Sequence, residues 1–248
     1  MKYPNTYAVY DLETTGLYPE KDEAIEIGAL IVRNGEPEPV RSWLIRPATA
    51  LSVDTVRITG ITQAEVDEKG RPSKECWREF LEFVKGFPLV GHNISRFDNL
   101  FLANAIAKYS ISSDSIGLSM VSANPIIRNG FVDTAAIYKA GQLGEEQAWN
   151  ETHMDFACRV LDIKAYGLRY KLTDLYAQFG GPQEGIQAHR ADSDVLMTNF
   201  LYRKFTELPE PKTKQKSLFG MPVITDPKMQ PGEWKMEKGQ MTSNPPIL

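Results

Sequence analysis

The run Thr6-Tyr7-Ala8-Val9-Tyr10 leads straight into Asp11-Leu12-Glu13-Thr14-Thr15-Gly16. A short apolar and β-favouring run closed by a turn signal reads as a buried strand. Side chains alternate along a strand, so Asp11 and Glu13 project to one face, roughly 6–7 Å apart. With no Lys or Arg close by in sequence, two such carboxylates repel each other and resist ionising. A divalent cation removes that repulsion, because hard ions such as Mg²⁺ take carboxylate, water and phosphate oxygens. The alternative for this stretch alone is a solvated strand end followed by a Thr-Thr-Gly turn.

Outward from that strand, Ala24–Val32 is β-rich and stops at the turn signal Asn34-Gly35. Val40–Ile45 makes a third strand, stopped by Pro47, so the first fifty residues predict an antiparallel meander. The period then changes. Over 73–85 the apolar residues Trp77, Phe80, Leu81 and Val84 recur at helical spacing, with Ser73 as the expected N-cap. Phe87–Val90 is a short strand, Gly91-His92-Asn93 a turn, and Phe97–Ala107 a helix that carries Asp98 near its start, where capping is the ordinary use of an Asp. Residues 110–130 read as a loop excursion. A short strand over 131–134 leads into a helix through Tyr138, 141–150 reads as loop, and helical patterns return over 155–161, 172–179 and 191–205. This order predicts an α/β fold with a mixed five-stranded sheet, three strands in an antiparallel meander and the others parallel, flanked by helices.

At 42% hydrophobic and 24% charged, the 248 residues suit a globular chain with a substantial core. Cys76 and Cys158 are too far apart in sequence to suggest a metal cluster and read as reduced thiols. No apolar run has the length of a membrane span, and the expectation is a cytoplasmic protein. A formal net charge of −4 argues against gripping long nucleic acid by bulk electrostatics, though not against an enzyme that holds a few nucleotides.

Asp11 and Glu13, then Asp98 after Gly91-His92-Asn93-Ile94-Ser95-Arg96-Phe97, then His189-Arg190-Ala191-Asp192-Ser193-Asp194 fall in a telling order. Over residues 5–207 the chain resembles the DEDDh superfamily of 3′–5′ exonucleases, which includes the proofreading epsilon subunit of bacterial DNA polymerase III and ribonuclease T. The resemblance implies a ribonuclease H-like fold in which Asp11, Glu13, Asp98 and Asp194 hold two Mg²⁺ or Mn²⁺ ions and His189 is the general base. Two ions can stabilise both the attacking and the leaving oxygen of a phosphodiester displacement. An imidazole titrating near neutrality suits removal of the water's proton. Five residues separate His189 from Asp194, which on one helix would set them apart around the axis. His189 is therefore expected on the loop before the helix, approached through Gly180-Gly181-Pro182 and Gly185. The resemblance also implies substrate contacts at Thr14, Thr15 and Leu17. Phe97, beside Asp98, reads either as a stacking face for a base or as a core residue. Where proofreading members often show His-Gly-Ile-Thr, this chain has Thr59-Gly60-Ile61-Thr62. Asp133 is expected to cap a helix, Asp192 to lie off the ligand set, and His92 to be structural or near substrate. His153 lies in a polar stretch without an evident partner.

From Pro209 the texture changes to a Pro- and Lys-containing segment without periodicity, so 1–208 reads as the exonuclease domain and 209–248 as an extended or disordered tail. Within it, Gln215-Lys216-Ser217-Leu218-Phe219 resembles the pentapeptide by which bacterial polymerases and repair proteins dock on the β sliding clamp, with Gln215, Ser217, Leu218 and Phe219 matching. The expected function is a metal-dependent 3′–5′ exodeoxyribonuclease acting on a nucleic-acid 3′ end, DNA before RNA, in replication proofreading or repair. Its partner would be a clamp or polymerase. The alternatives are an RNA 3′-trimming enzyme in the manner of ribonuclease T and a non-catalytic accessory module.

Overall fold

Strand β1, Tyr7–Thr14, is central to the sheet. The computed structural model describes residues 3–111, 130–182 and 188–206, together with the backbone of four short strands outside those ranges. On one side β1 pairs antiparallel with β2, Ala24–Arg33, in a register that sets Glu13 opposite Glu26. The far edge of β2 is shared by β3, Glu36–Pro37, and β4, Arg41–Leu44, both antiparallel to it. After β4 come helices α1, Val53–Thr59, α2, Gln63–Lys69, and α3, Ser73–Phe83. On its other side β1 pairs parallel with β5, Leu89–Gly91, which pairs parallel with β8, Phe131–Asp133. Helix α4, Asp98–Tyr109, and the antiparallel strands β6, Leu118–Val121, and β7, Asn124–Ile127, lie between those two strands in sequence. Helices α5, Thr134–Leu143, α6, His153–Asp162, α7, Leu172–Gln178, and α8, Ala191–Thr206, follow β8. Strands β9, Trp234–Glu237, and β10, Gln240–Ser243, form an antiparallel pair late in the chain.

The expected mixed sheet is present, with β3 as a small sixth strand beside the five expected ones. Alternation along β1 divides the core. Ala8, Tyr10 and Leu12 face α3 and α4, where Tyr10 packs on Phe80 at 5.4 Å between ring centroids. Tyr7 and Val9 face α8 through Val195 and Tyr202. Asp11 and Glu13 continue the second series, so the pleat itself aims both carboxylates at the layer that α8 covers. Trp77, Phe80 and Leu81 of α3 are buried at the predicted helical spacing.

Several local expectations are corrected. Pro72, not Ser73, is the N-cap of α3 and makes no side-chain capping bond, since the proline ring carries no acceptor for the first amides of the helix. Helix α5 runs past Tyr138 to Leu143 and stops at Gly144 in the left-handed region, so part of the 141–150 stretch is helical. Residues 110–130 contain β6 and β7 rather than loop alone. Helices α1 and α2 were not evident from apolar periodicity, yet each opens on a capping hydroxyl, Ser52 to the Thr55 amide and Thr62 to the Glu65 amide. His153 has a partner after all, stacking on Tyr3 at 6.0 Å. Cys76 and Cys158 are free, the first buried and the second half-buried. Among the described residues no helix is long and apolar enough to cross a membrane. Gln215, Ser217, Leu218 and Phe219, like Gly185, lie outside the described residues.

Candidate active site

Strand β1 extends beyond its pairing with β5, which reaches only Val9. The edge left open at the carboxyl end of the parallel strands is the usual place for a site in such sheets. Asp98, the first residue of α4, fills it: its Oδ1 accepts the Leu12 amide at 3.0 Å, between Asp11 and Glu13. The residue before it, Phe97, occupies the N-cap position without a capping bond. The Asp98 carboxylate therefore bonds the first strand as well as its own amide at the start of α4.

The turn that delivers Asp98 is held by Asp133. Its carboxylate accepts from the Asn93 amide at 2.9 Å, the Ser95 amide at 3.1 Å and the Ser95 hydroxyl at 2.7 Å, and it also caps α5 through the Ala135 and Ala136 amides. Both nitrogens of His92 are engaged, Nδ1 with Thr134 Oγ1 at 2.9 Å and Nε2 with the Tyr170 carbonyl at 2.7 Å. A carbonyl only accepts, so Nε2 carries the hydrogen. The structural reading of both residues holds.

The last two groups come with α8. Asp194 sits in its first turn and is buried. His189 stands just ahead of the helix in the left-handed region, φ 62°, and its amide bonds the Asp194 carboxylate. Asp194 Oδ1 is buried with no hydrogen-bond partner. Ligand atoms of Glu13, His189 and Asp194 lie within 4.8 Å of one another, a group that could hold a metal ion. Asp192 is half-buried and outside that group.

Electrostatics bind the acids into one unit. Burial and the neighbouring carboxylates of Asp194, Asp98, Glu13 and Glu26 push Asp11 well above the usual carboxylate range. Burial with Asp194, Glu26 and Asp98 nearby pushes Glu13 up to about 8. Burial raises Asp98 to about 7, against the pull of the Leu12 amide, and Asp194 likewise to about 7, against the His189 amide. Acids gathered at this cost, with one oxygen left bare, fit a cation as the missing partner.

Sequence reasoning missed the brace behind them. Glu26, almost wholly buried on β2, accepts Arg190 Nε at 3.1 Å, Arg190 Nη2 at 2.9 Å, the Ala191 amide at 3.1 Å and the Ser42 hydroxyl at 2.8 Å. Arg190 also reaches Glu65 at 3.5 Å. Two residues along, Gly28 admits the backbone of Ala191, where any Cβ would strike the Ala191 carbonyl. The available signal was an acid inside the apolar run Ala24–Val32 and a lone cation inside an acid-rich motif.

Of the expected substrate positions, Thr14, Thr15 and Phe97 are half-buried and Leu17 is exposed. Leu17 is 71% exposed. Thr15 has its amide bonded to the Glu23 carbonyl at 2.9 Å and its carbonyl to the Thr55 hydroxyl at 3.1 Å, while the Thr14 hydroxyl donates to the Gly16 carbonyl at 2.6 Å. These bonds fix the loop that presents Leu17. Phe97 is half-buried and packs on Phe101 at 5.1 Å.

A family described as exonuclease (RNase T) matches residues 8–202. The chain is 42% identical over 203 residues to a PolC-type DNA polymerase III of Thermotoga petrophila, covering 82% of this chain and 12% of that protein. It is 27% identical over 226 residues to the 3′–5′ exonuclease DinG of Bacillus subtilis, covering 89% of this chain and 20% of that one. The chain thus spans a fifth or less of either relative. Its fold is also that of E. coli exonuclease I, solved in complex with a dT13 oligonucleotide, with a TM-score of 0.59 and 22% identity over 81% of this chain and 41% of that one.

Proposed function

The chain belongs to the exonuclease family, and from that premise we propose that it is a metal-dependent 3′–5′ exodeoxyribonuclease. The observation that supports the reading best is the convergence of Asp11, Glu13, Asp98 and Asp194 with His189, all the acids held above their ordinary pKa and Asp194 Oδ1 left bare. The four carboxylates would hold two Mg²⁺ or Mn²⁺ ions, which supply charge stabilisation at the phosphate and acidify water. His189 takes the proton of the attacking water. Hydrolysis then breaks the terminal phosphodiester, releases a nucleoside 5′-monophosphate and leaves a new 3′-hydroxyl. Leu17 and Phe97 offer apolar contact to the last bases, with Thr14 and Thr15 setting the loop. The DNA preference draws on the PolC-type relative, as does the role in proofreading or repair within the cytoplasm. The pentapeptide Gln215–Phe219, on the tail from 209 to 248, extends the reading to a sliding clamp.

The test is cleavage of 5′-labelled DNA and RNA strands with Mg²⁺ or EDTA. Stepwise shortening of DNA from its 3′ end, abolished by EDTA, is the expected result; shortening confined to RNA would move the enzyme to RNA trimming. No shortening of either strand would leave an accessory module.

His189→Gln is expected to lower kcat by about 10²–10⁴-fold, the usual contribution of a positioned base. Burial and Lys171 hold the His189 imidazole below its ordinary value. The acid limb of the wild-type pH–rate profile should therefore fall below pH ~6.5, and the variant should lose that limb. An unchanged profile in the variant would remove His189 from the reaction.

A further inference from the structure

Between α6 and α7 the chain reads Lys164-Ala165-Tyr166-Gly167-Leu168-Arg169-Tyr170-Lys171, with three cations and no acid, in a protein whose net charge is −4. Lys164, Arg169 and Lys171 are exposed, and none has an ion-pair partner among the described residues. Tyr166 is 95% exposed. The backbone beneath them is tied down at both ends. The Ile163 carbonyl accepts Lys139 Nζ at 2.6 Å, Leu168 packs into the cluster of Tyr138 and Leu175, and the Tyr170 carbonyl accepts His92 Nε2. Through Tyr170 and His92 the segment is bonded to the turn that delivers Asp98, and at the same end the next residue, Lys171, acts electrostatically on His189. Unpaired cations that flank an exposed aromatic residue in sequence are thus tied, at the 170–171 end, to the turn carrying Asp98 and to the neighbourhood of His189.

We propose that this segment carries the nucleic-acid strand 5′ of the reacting nucleotide, with Lys164 and Arg169 on successive phosphates and Tyr166 stacked on a base. Single-stranded nucleic acid is held by this combination, cations along the backbone and an aromatic face that accepts any base. The arrangement fits a polyanion and no other class of partner as well, because exposed cations without acids beside them gain little from a neutral surface. It sets a polarity: the 3′ end lies at His189 and the acids, and the strand leaves past Tyr166. It also explains how a chain of net negative charge grips its substrate, through a local positive track rather than a general field. The inference rests on the nucleic-acid reading of the site.

The experiment is fluorescence anisotropy of a labelled oligothymidylate of about 20 nucleotides, long enough to overrun the site of one binding fold, titrated in EDTA with wild type, Lys164→Ala/Arg169→Ala and Tyr166→Ala at several salt concentrations. Wild type should bind with salt-dependent affinity. The double variant should weaken binding about tenfold and flatten the log–log salt slope by about 1.4, the loss of two phosphate contacts to a single strand. Tyr166→Ala should weaken binding while leaving the slope unchanged. Unaltered melting temperatures would show that the variants fold. Equal affinity and slope in wild type and double variant would overturn the proposal, and so would a wild type that binds no oligonucleotide. Failure of the Mg²⁺ cleavage assay with the binding differences intact would retire hydrolysis and leave the track standing. Cleavage with no binding difference would do the reverse.

Discussion

Asp11→Asn is expected to lower 3′-terminal hydrolysis by about 10³–10⁵-fold, the scale on which one member of a cooperating catalytic set is lost. The same change should make the metal-free protein more stable. Asp11 is pressed among Asp194, Asp98, Glu13 and Glu26, which hold its carboxyl well above the usual range, so an uncharged amide of the same shape relieves repulsion. Activity and stability therefore move in opposite directions, which a residue serving the fold alone would not do. Steady-state cleavage of a 3′ end and thermal melting in EDTA check the pair. A variant that retains activity, or that melts earlier than wild type in EDTA, would sink the assignment.

In EDTA the melting temperature of the wild type is expected to decline as pH rises through 7 to 8. Glu13 is held at about 8 against an ordinary 4.5, and Asp98 and Asp194 at about 7 against 3.8. The folded state thus holds these protons more tightly than the unfolded chain does. Their contribution to stability is complete below the unfolded values and is lost as pH climbs through the folded ones. Carboxylates elsewhere, such as Glu23, paired with Lys108 and the Ala48 amide, have the opposite sign. The difference between the wild-type and Asp11→Asn curves isolates the cluster. Adding Mg²⁺ at pH 8 to about 100 times its Kd contributes about 2.7 kcal/mol, or about 5–10 °C at this chain length. A difference curve flat with pH, together with no response to Mg²⁺ or Mn²⁺, would contradict a cation site.

What was legible in the sequence was local. The pleat of β1 needs only alternation to put Asp11 and Glu13 on one face. The five-residue gap between His189 and Asp194 needs only helix geometry to put the histidine on the approach, where its backbone indeed turns left-handed. What was not legible depends on contacts between distant segments. Asp98 looked like a cap because the amide that donates to it, that of Leu12, lies 86 residues away. Nothing in the local pattern marked a partner for Glu26, because Arg190 lies 164 residues on. Helices α1 and α2 were missed for another reason: each is seven residues long, too short for a periodic apolar stripe, and was marked only by the hydroxyls of Ser52 and Thr62.

The bare flank of Gly28 has a consequence in the order of synthesis. A chain that has emerged through α5 can already pair β1, β2, β5 and β8 and carries three of the four acids, but neither His189 nor Asp194. Completion waits until the Ala191 backbone settles against Gly28 and Glu26 takes its amide. The acid site is thus completed only by α8, the last helix among the described residues. A chain that stops short of α8 is expected to lack a complete acid site.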